Sequence, residues 1–321
     1  MFFSQKYIRG GLINANLYLP VIFMLTVLLC PVNLRGQMAP VADQYILNPL
    51  TVNPAYAGSR GSLNIAAFYR RQWVGITGAP ETMTLAFDAP LLNGKVGLGL
   101  NISTDRIGVT KENSIGINYS FLIKAGEGRI SLGFGAGVLT TNTAWSDLTV
   151  LDPGDDLYMI DSKVFIVPDF SFGLYYTNKN YFAGFSVPRL LQYDFDFKEN
   201  KYSFGLEPDN YSYILHTGYL FDISKTKFLP SVFLSYSPGD RLMYDINAHF
   251  GLFERLWLGA SYRSTRSVAG LFQFEISSQL KMAYSYYFDF NKLGSYNNGS
   301  HEIMIRYQFL YKVNVVNPLI F

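Results

Sequence analysis

Histidine is the residue type in this chain most suited to acid–base or metal chemistry, but its spacing points to neither. His216, His249 and His301 are the three histidines, and each falls on a different predicted strand without a cysteine or paired carboxylate at ligand spacing. Isolated histidines in such positions are interpreted as structural residues of a lumen or rim. The sequence therefore predicts no catalytic residue, no metal site and no cofactor.

Acidic side chains gather in one place, between residues 143 and 163. They are Asp147, Asp152, Asp155, Asp156 and Asp161. Their spacing does not match a calcium loop, which has fixed acidic positions and a glycine. A solvated loop is the simpler interpretation, and Asp155 and Asp156 are the only candidates for a hydrolase.

Glycines recur at every second position in two segments, at Gly97 and Gly99 and again at Gly133, Gly135 and Gly137. They lack the strand-to-helix context of a nucleotide-binding loop. A row of glycines on one face of a strand lets another backbone approach closely. We therefore expect these glycines to leave room for a chain segment, and residues 44–61 are the candidate occupant.

The elements that carry these residues alternate with a period of two from residue 62 onward, which is typical of strands with two different faces. In one example Ile115, Ile117 and Tyr119 share a face, while Asn118 and Ser120 lie on the other. Turn signals bound about fourteen such strands. The predicted strands are 62–73, 80–90, 94–104, 112–124, 128–142, 164–177, 180–188, 209–222, 227–237, 242–252, 255–263, 266–277, 279–290 and 300–311.

The chemistry of the two faces distinguishes a soluble barrel or sandwich from a membrane barrel. Only 16% of residues are charged whereas 17% are aromatic, and the non-apolar face is mostly Gly, Ser, Asn and Ala rather than Lys or Glu. Aromatic residues such as Tyr213, Tyr219 and Phe221 resemble the girdles where a membrane meets water. We predict an all-β transmembrane antiparallel up-and-down barrel of about 14 strands.

Connection lengths give the barrel an orientation, because outer-membrane barrels combine short periplasmic turns with longer external loops. The long loops are predicted at residues 105–111, 143–163, 189–208 and 291–299. An even strand number then leaves both termini on the periplasmic side of the outer membrane.

The N-terminus predicts an export signal. Lys6 and Arg9 precede an apolar run at residues 21–30, which is too short to span a bilayer, and cleavage is expected before Gln37. A lipid-modified Cys30 is the alternative, but bulky Leu29 disfavours it. The predicted organisation is a signal peptide (1–36), a periplasmic or lumen-plugging segment (37–61), the barrel (62–311) and a tail (312–321). A net charge of +2 without a basic cluster excludes nucleic acid.

Residues 44–61 (QYILNPLTVNPAYAGSRG) form the unusual segment between signal and barrel. Asn-Pro pairs favour extended residues and turns, so a compact, non-helical path is expected. The residues predicted to make plug or partner contacts, either within this segment or on the barrel, are Asn48, Pro49, Asn53, Pro54, Tyr56, Arg60, Arg70 and Trp73. Arg70 and Arg71 should lie on opposite faces, and Trp73 is interpreted as an interface anchor.

Several motifs resemble the PorP/SprF family. Beyond residues 44–61 they are residues 69–75 (YRRQWVG), 78–80 (GAP), 96–100 (VGLGL), 105–108 (DRIG) and 182–188 (FAGFSVP). The resemblance covers nearly the whole chain after the signal. Two features depart from it: Arg189 stands where many relatives have histidine, and residues 312–321 extend beyond the expected aromatic barrel end at Phe309.

The resemblance implies an outer-membrane barrel of the type IX secretion system, which in many bacteria works alongside gliding motility. Such proteins support secretion or surface attachment of cargo with a C-terminal sorting domain, and contact periplasmic components of the machine. No catalytic residue transfers with the resemblance. The leading hypothesis is a non-enzymatic docking barrel in outer-membrane lipid; the alternatives are a passive or selective pore for small solutes and, third, an outer-membrane hydrolase.

Overall fold

The alternating segments form antiparallel strands that close into a barrel. The computed structural model describes residues 45–147, 161–196, 201–238 and 242–309. The strands are β1 (Asn64–Arg71), β2 (Glu81–Leu91), β3 (Val96–Ile107), β4 (Thr110–Ala125), β5 (Gly128–Thr143), β6 (Phe165–Thr177), β7 (Tyr181–Val187), β8 (Gln192–Asp196), β9 (Lys201–Gly205), β10 (Tyr213–Tyr219), β11 (Phe221–Ile223), β12 (Thr226–Tyr236), β13 (Met243–Leu252), β14 (Leu256–Arg263), β15 (Ser267–Glu275), β16 (Leu280–Asp289) and β17 (Ser300–Gln308).

Closure of the barrel follows from the pairing of its strands. β1 pairs with β2 on one side and with β17 on the other, and β10 pairs with both β7 and β12. β11 continues β10 beyond Leu220 along the same edge of β12, so the two count as one wall element. β8 and β9 form a separate hairpin. The result is a fourteen-stranded antiparallel barrel, which confirms the predicted fold class.

The two faces of each strand have the predicted chemistry. On β4 the side chain of Ile117 is 61% exposed on the outside of the barrel, whereas Ser120 on the inside is fully buried. On β17 Ile303 and Ile305 face outward, while Glu302 faces inward and is buried. A barrel whose apolar residues point outward is suited to lipid, because no other environment would solvate that face.

The two ends of the barrel differ in their connections. The end that carries the β2–β3, β4–β5, β6–β7, β11–β12, β13–β14 and β15–β16 connections is here named the short-turn end, and the opposite end the loop end. Asn64 at the start of β1 lies opposite Gln308 at the end of β17, so the barrel begins and ends at the short-turn end.

One predicted long loop was wrong. Instead of a loop at residues 105–111, β3 and β4 pair as far as Ile107 and Thr110 and leave a tight turn with Gly108 at φ 59°. The strands there are polar on both faces, so the alternation that would mark them is lost. The predicted loop 189–208 lies within the long connection between β7 and β10, and it contains the separate β8–β9 pair, whose residues alternate polar and aromatic.

The described residues contain short 3-10 turns in addition to strands. They are Pro49–Thr51, Pro54–Tyr56, Leu92–Gly94, Trp145–Asp147, Pro208–Asn210 and Lys292–Ser295. Over the same residues, we find no helix of the length and apolar character needed to cross a membrane. The predicted signal peptide, the tail 312–321, and Asp152, Asp155 and Asp156 lie outside the described residues.

Candidate functional site

Residues 45–61, here named the lumen segment, follow a path fixed by their two Asn-Pro pairs. Each proline is the first residue of a 3-10 turn, a position where its fixed φ is favourable and its missing N–H costs nothing. The side-chain oxygen of Asn53 accepts a hydrogen bond from the Ala55 N–H at 3.0 Å and so caps the second turn. These two single turns fit the compact, non-helical path that the Asn-Pro pairs predicted.

The lumen segment lies inside the barrel against a wall of glycines. Leu50, Ala55 and Ala57 are at most 2% exposed. A Cβ atom on Gly133 would lie 2.1 Å from the Ala55 nitrogen, and one on Gly97 would lie 2.0 Å from the Ala57 oxygen. No side chain fits at these distances, so the glycines of β3 and β5 permit the contact with the segment backbone.

Hydrogen bonds attach the lumen segment to this wall. The Asn53 side-chain nitrogen donates to two strand carbonyls, at 2.9 Å to Leu174 on β6 and 3.2 Å to Phe185 on β7. The hydroxyls of Ser120 and Ser186 donate to segment carbonyls of Ala57 and Val52, each at 2.7 Å. The inward serines therefore satisfy backbone groups that would otherwise be buried without partners.

The start of the lumen segment reaches the opposite wall. The Tyr45 ring packs against Phe233 of β12 with ring centroids 4.3 Å apart. Its hydroxyl accepts a hydrogen bond from Asn247 at 2.9 Å and donates to Asp245 at 3.4 Å, both on β13. Asp245 is fully buried and forms a two-pronged ion pair with Arg263 of β14, at 2.8 and 2.7 Å.

Further contacts hold the end of the lumen segment near the short-turn end. Arg306 of β17 donates to the Leu47 carbonyl at 2.7 Å, and Arg60 donates to the same carbonyl and to the Tyr56 hydroxyl. Asp88 of β2 accepts from the Gly58 N–H at 3.2 Å. Together with the Tyr45 contacts, these show that the segment crosses the lumen from one side of the wall to the other.

A blind vestibule of about 580 Å³ opens at the loop end, with residues 50–54 as its floor. Two ion pairs line it, Arg70 with Glu302 and Arg189 with Asp169, each at 3.8 Å. The remaining lining combines eight Thr, Ser and Asn side chains with Asp105, Glu112, glycines and apolar residues. Among the described residues no group of three His, Cys, Asp or Glu side chains could hold a metal ion.

Most of the residues predicted to make plug or partner contacts lie together. Asn48, Pro49, Asn53, Pro54 and Tyr56 are all buried within the lumen segment. Arg60 belongs to the same cluster, since it donates to Tyr56.

The two remaining predicted residues lie apart at the loop end. Arg70 lines the vestibule, whereas Arg71 is exposed on the outer face. Trp73 is half-buried beyond the end of β1 and has φ 45°. Its backbone N–H donates a hydrogen bond to the Ser300 hydroxyl at 3.1 Å.

Sequence reasoning missed the wall residues that receive the lumen segment. Asp88, Asp245, Asn247, Arg263 and Arg306 occupy inward positions of otherwise apolar or small-residue strands. Such buried charges are costly unless paired, which is the signal that could have marked them. Of the histidines, His216 and His249 are buried in the wall, and His301 lies beside Tyr284 and Tyr286 on the outer face.

Solved structures that match this chain include an outer membrane protein, a porin and a channel. The outer membrane protein is Omp33 of Acinetobacter baumannii, with TM-score 0.42 and 10% identity over 77% of this chain and 98% of that chain. The KdgM porin has TM-score 0.38 and 9% identity over 77% and 99%. The CymD monoaromatic hydrocarbon channel has TM-score 0.46 and 11% identity over 87% and 96%. All three TM-scores lie below 0.5, so these similarities say nothing about function.

The comparison with protein families covers the lumen segment as well as the strands. A search of curated proteins finds no match. The family model described as type IX secretion system membrane protein PorP/SprF matches residues 34–307, which confirms the resemblance drawn from the motifs. The chain belongs to the PorP/SprF family of type IX secretion system membrane proteins.

Proposed function

We propose that this protein is a non-enzymatic barrel that docks secreted cargo and periplasmic components of the type IX secretion system. The family and the barrel fold are non-enzymatic in kind and support an outer-membrane location. The cargo would carry a C-terminal sorting domain and, in gliding bacteria, include surface adhesins. The short-turn end and both termini would face the periplasm, as in barrels with short periplasmic turns.

The observation that carries this proposal is the occupied lumen. The lumen segment contacts both sides of the wall, through Ala55 and Ala57 on the glycine side and through Tyr45 on the β12–β13 side. A segment that contacts both sides of the wall occupies space through which a solute would have to pass, and this supports docking over conduction. A filled barrel is suited to presenting a rigid surface at each end, which is the requirement for docking.

A solute pore is the second candidate, and the vestibule at the loop end is the observation that favours it. Its polar lining and paired charges resemble the mouth of a water-filled channel. For this function, residues 50–54 would have to leave the floor of the vestibule. Contacts such as those of Asn53 with Leu174 and Phe185 would then have to break.

Deletion of residues 44–58 tests the docking function. The strands pair with one another without the segment, so we expect the barrel to insert into the outer membrane, whereas secretion of sorting-domain cargo should fall to background. Cargo in the medium and on the cell surface is measured by quantitative proteomics, and insertion by heat-modifiable migration of the barrel in gels.

The control for this deletion is the intact gene expressed at the same level. Crosslinking in living cells followed by purification of the barrel should recover a sorting-domain protein from the intact chain and not from the deletion. Normal secretion by a correctly inserted deletion variant would refute the docking role of the segment.

A further inference from the structure

A basic groove lies at the short-turn end, beside the end of the lumen segment. It runs between the β2–β3, β4–β5 and β6–β7 connections and has a volume of about 940 Å³. Four bases line it, Lys95, Lys124, Arg129 and Lys179, against the single acid Glu127. The groove therefore carries an excess of three positive charges on a chain whose net charge is only +2.

The positive charges of the groove have no internal partner. All four bases are exposed, and none forms an ion pair with another described residue. Lys124 lies directly opposite Arg129 across the β4–β5 ladder, an arrangement of like charges that destabilises a sheet. The Arg129 guanidinium also lies near the turn at Gly94, next to Lys95. Folding does not explain this concentration of charge, but binding of an anion does.

Two of the four bases lie on the inward face of the barrel wall. Lys124 shares the inward face of β4 with Ser120, and Arg129 shares the inward face of β5 with Ser131. The groove is also lined by Phe121 and Ile123, which are exposed on the outward face of β4. Bases that serve lipid headgroups would be expected on the outward face, where they can snorkel to the interface. The inward placement of Lys124 and Arg129 favours a ligand that approaches the open mouth of the barrel.

The lumen segment forms part of the same groove. Ser59 lines it, one residue after Gly58, whose N–H donates to Asp88. A ligand in the groove would therefore touch the segment and three turns of the wall at once. A volume of about 940 Å³ is within the range of ligand pockets, roughly 300–1,000 Å³.

We propose that this groove binds an acidic segment of a periplasmic protein, through carboxylates that pair with Lys95, Lys124, Arg129 and Lys179. The proposal rests on the proposed function for its orientation, since the short-turn end must face the periplasm. Carboxylates of a flexible chain can reach several exposed bases in turn, and the field of the groove speeds their approach. Binding of this kind weakens as ionic strength rises.

Peptide binding to the intact barrel tests this proposal. The full chain is placed in nanodiscs of zwitterionic lipid and titrated with a fluorescein-labelled peptide of ten glutamates, with anisotropy as the readout. The groove variant changes Lys95, Lys124, Arg129 and Lys179 to Gln. The matched control changes Arg106, Lys111, Lys163 and Lys292, four exposed bases at the loop end, to Gln.

We expect the groove variant to bind the peptide about tenfold more weakly, since exposed ion pairs contribute about 0.2–1 kcal/mol each. The control variant should stay within about twofold of the parent, because its four bases lie at the opposite end of the barrel from the groove; the two variants lose the same net charge, so the comparison isolates position. Equal weakening in the two variants would mean non-specific attraction and overturn the proposal. The proposal would also be overturned if the four bases had no effect in zwitterionic nanodiscs and altered peptide binding only in nanodiscs that contain anionic phosphatidylglycerol. The bases would then be acting on a lipid headgroup.

Failure of the groove is distinguishable from failure of the docking function. Peptide affinity in nanodiscs decides the groove, whereas cargo secretion by the deletion of residues 44–58 decides the docking function. If the peptide binds as expected and that deletion still secretes normally, the groove stands and its proposed service to secretion is wrong. If secretion is lost but both variants bind the peptide equally, docking stands and the groove is overturned.

Discussion

Replacement of Gly133 by leucine should drive the lumen segment off the wall while leaving the barrel intact. The atoms nearest to a Cβ at this position are backbone atoms of Pro54 and Ala55, which cannot rotate away as a side chain could. Overpacking of this kind costs about 1–3 kcal/mol, which raises the population of the displaced state about 5- to 150-fold. Trypsin cleavage after Arg60, followed by mass spectrometry, measures that population because the Arg60 side chain is held in the closed state.

The matched control for this substitution is Gly270→Leu. Gly270 lies on the outward face of β15, where an added Cβ atom would have no other atom within 4 Å. We expect trypsin to cleave the Gly270→Leu variant after Arg60 at the same rate as the parent. Equal cleavage rates in the parent and in both variants would contradict the packing of the lumen segment against β5.

Substitution of Arg263 by methionine should have the largest effect on stability. It leaves the carboxylate of Asp245 fully buried without its guanidinium, although methionine keeps most of the apolar stem that contacts Tyr287. Breaking a buried ion pair on one side costs about 3–5 kcal/mol. Urea-induced unfolding in liposomes, followed by tryptophan fluorescence, measures the change in the free energy of unfolding.

Two further variants separate the buried charge from the loss of arginine itself. Arg71→Met removes an exposed arginine from the outer face of β1 and should change the free energy of unfolding by less than about 0.5 kcal/mol. Asp245→Asn combined with Arg263→Met removes both charges and should restore part of the loss. A loss below about 1 kcal/mol for Arg263→Met alone would show that Asp245 is not buried as a charge.

The strands and their faces were predictable because lipid imposes a simple rule on each of them. An outward residue such as Ile117 must be apolar, and an inward residue such as Ser120 must fit a crowded lumen, so a period of two survives along the strand. The rule fails beyond the lipid. There both faces of β3 and β4 are polar, and the predicted loop at 105–111 proved to be a tight turn between paired strands.

The occupant of the lumen was predictable in kind but not in its contacts. Glycines at every second position, such as Gly97 and Gly133, indicate that a backbone approaches, and Asn-Pro pairs indicate turns. The partners of Tyr45 could not be read in the same way, because Asp245 and Asn247 lie about 200 positions away along the chain. Strand register and barrel closure together bring them next to Tyr45, and neither is fixed by local sequence.

Single-channel recording of the purified intact barrel in a planar bilayer tests the central claim most directly. The claim is that residues 45–61 close the lumen, so that the barrel works as a docking surface rather than as a pore. The intact chain should show no steady opening, while the variant that lacks residues 44–58 should conduct. Large, steady currents through the intact chain would contradict the claim and establish the pore.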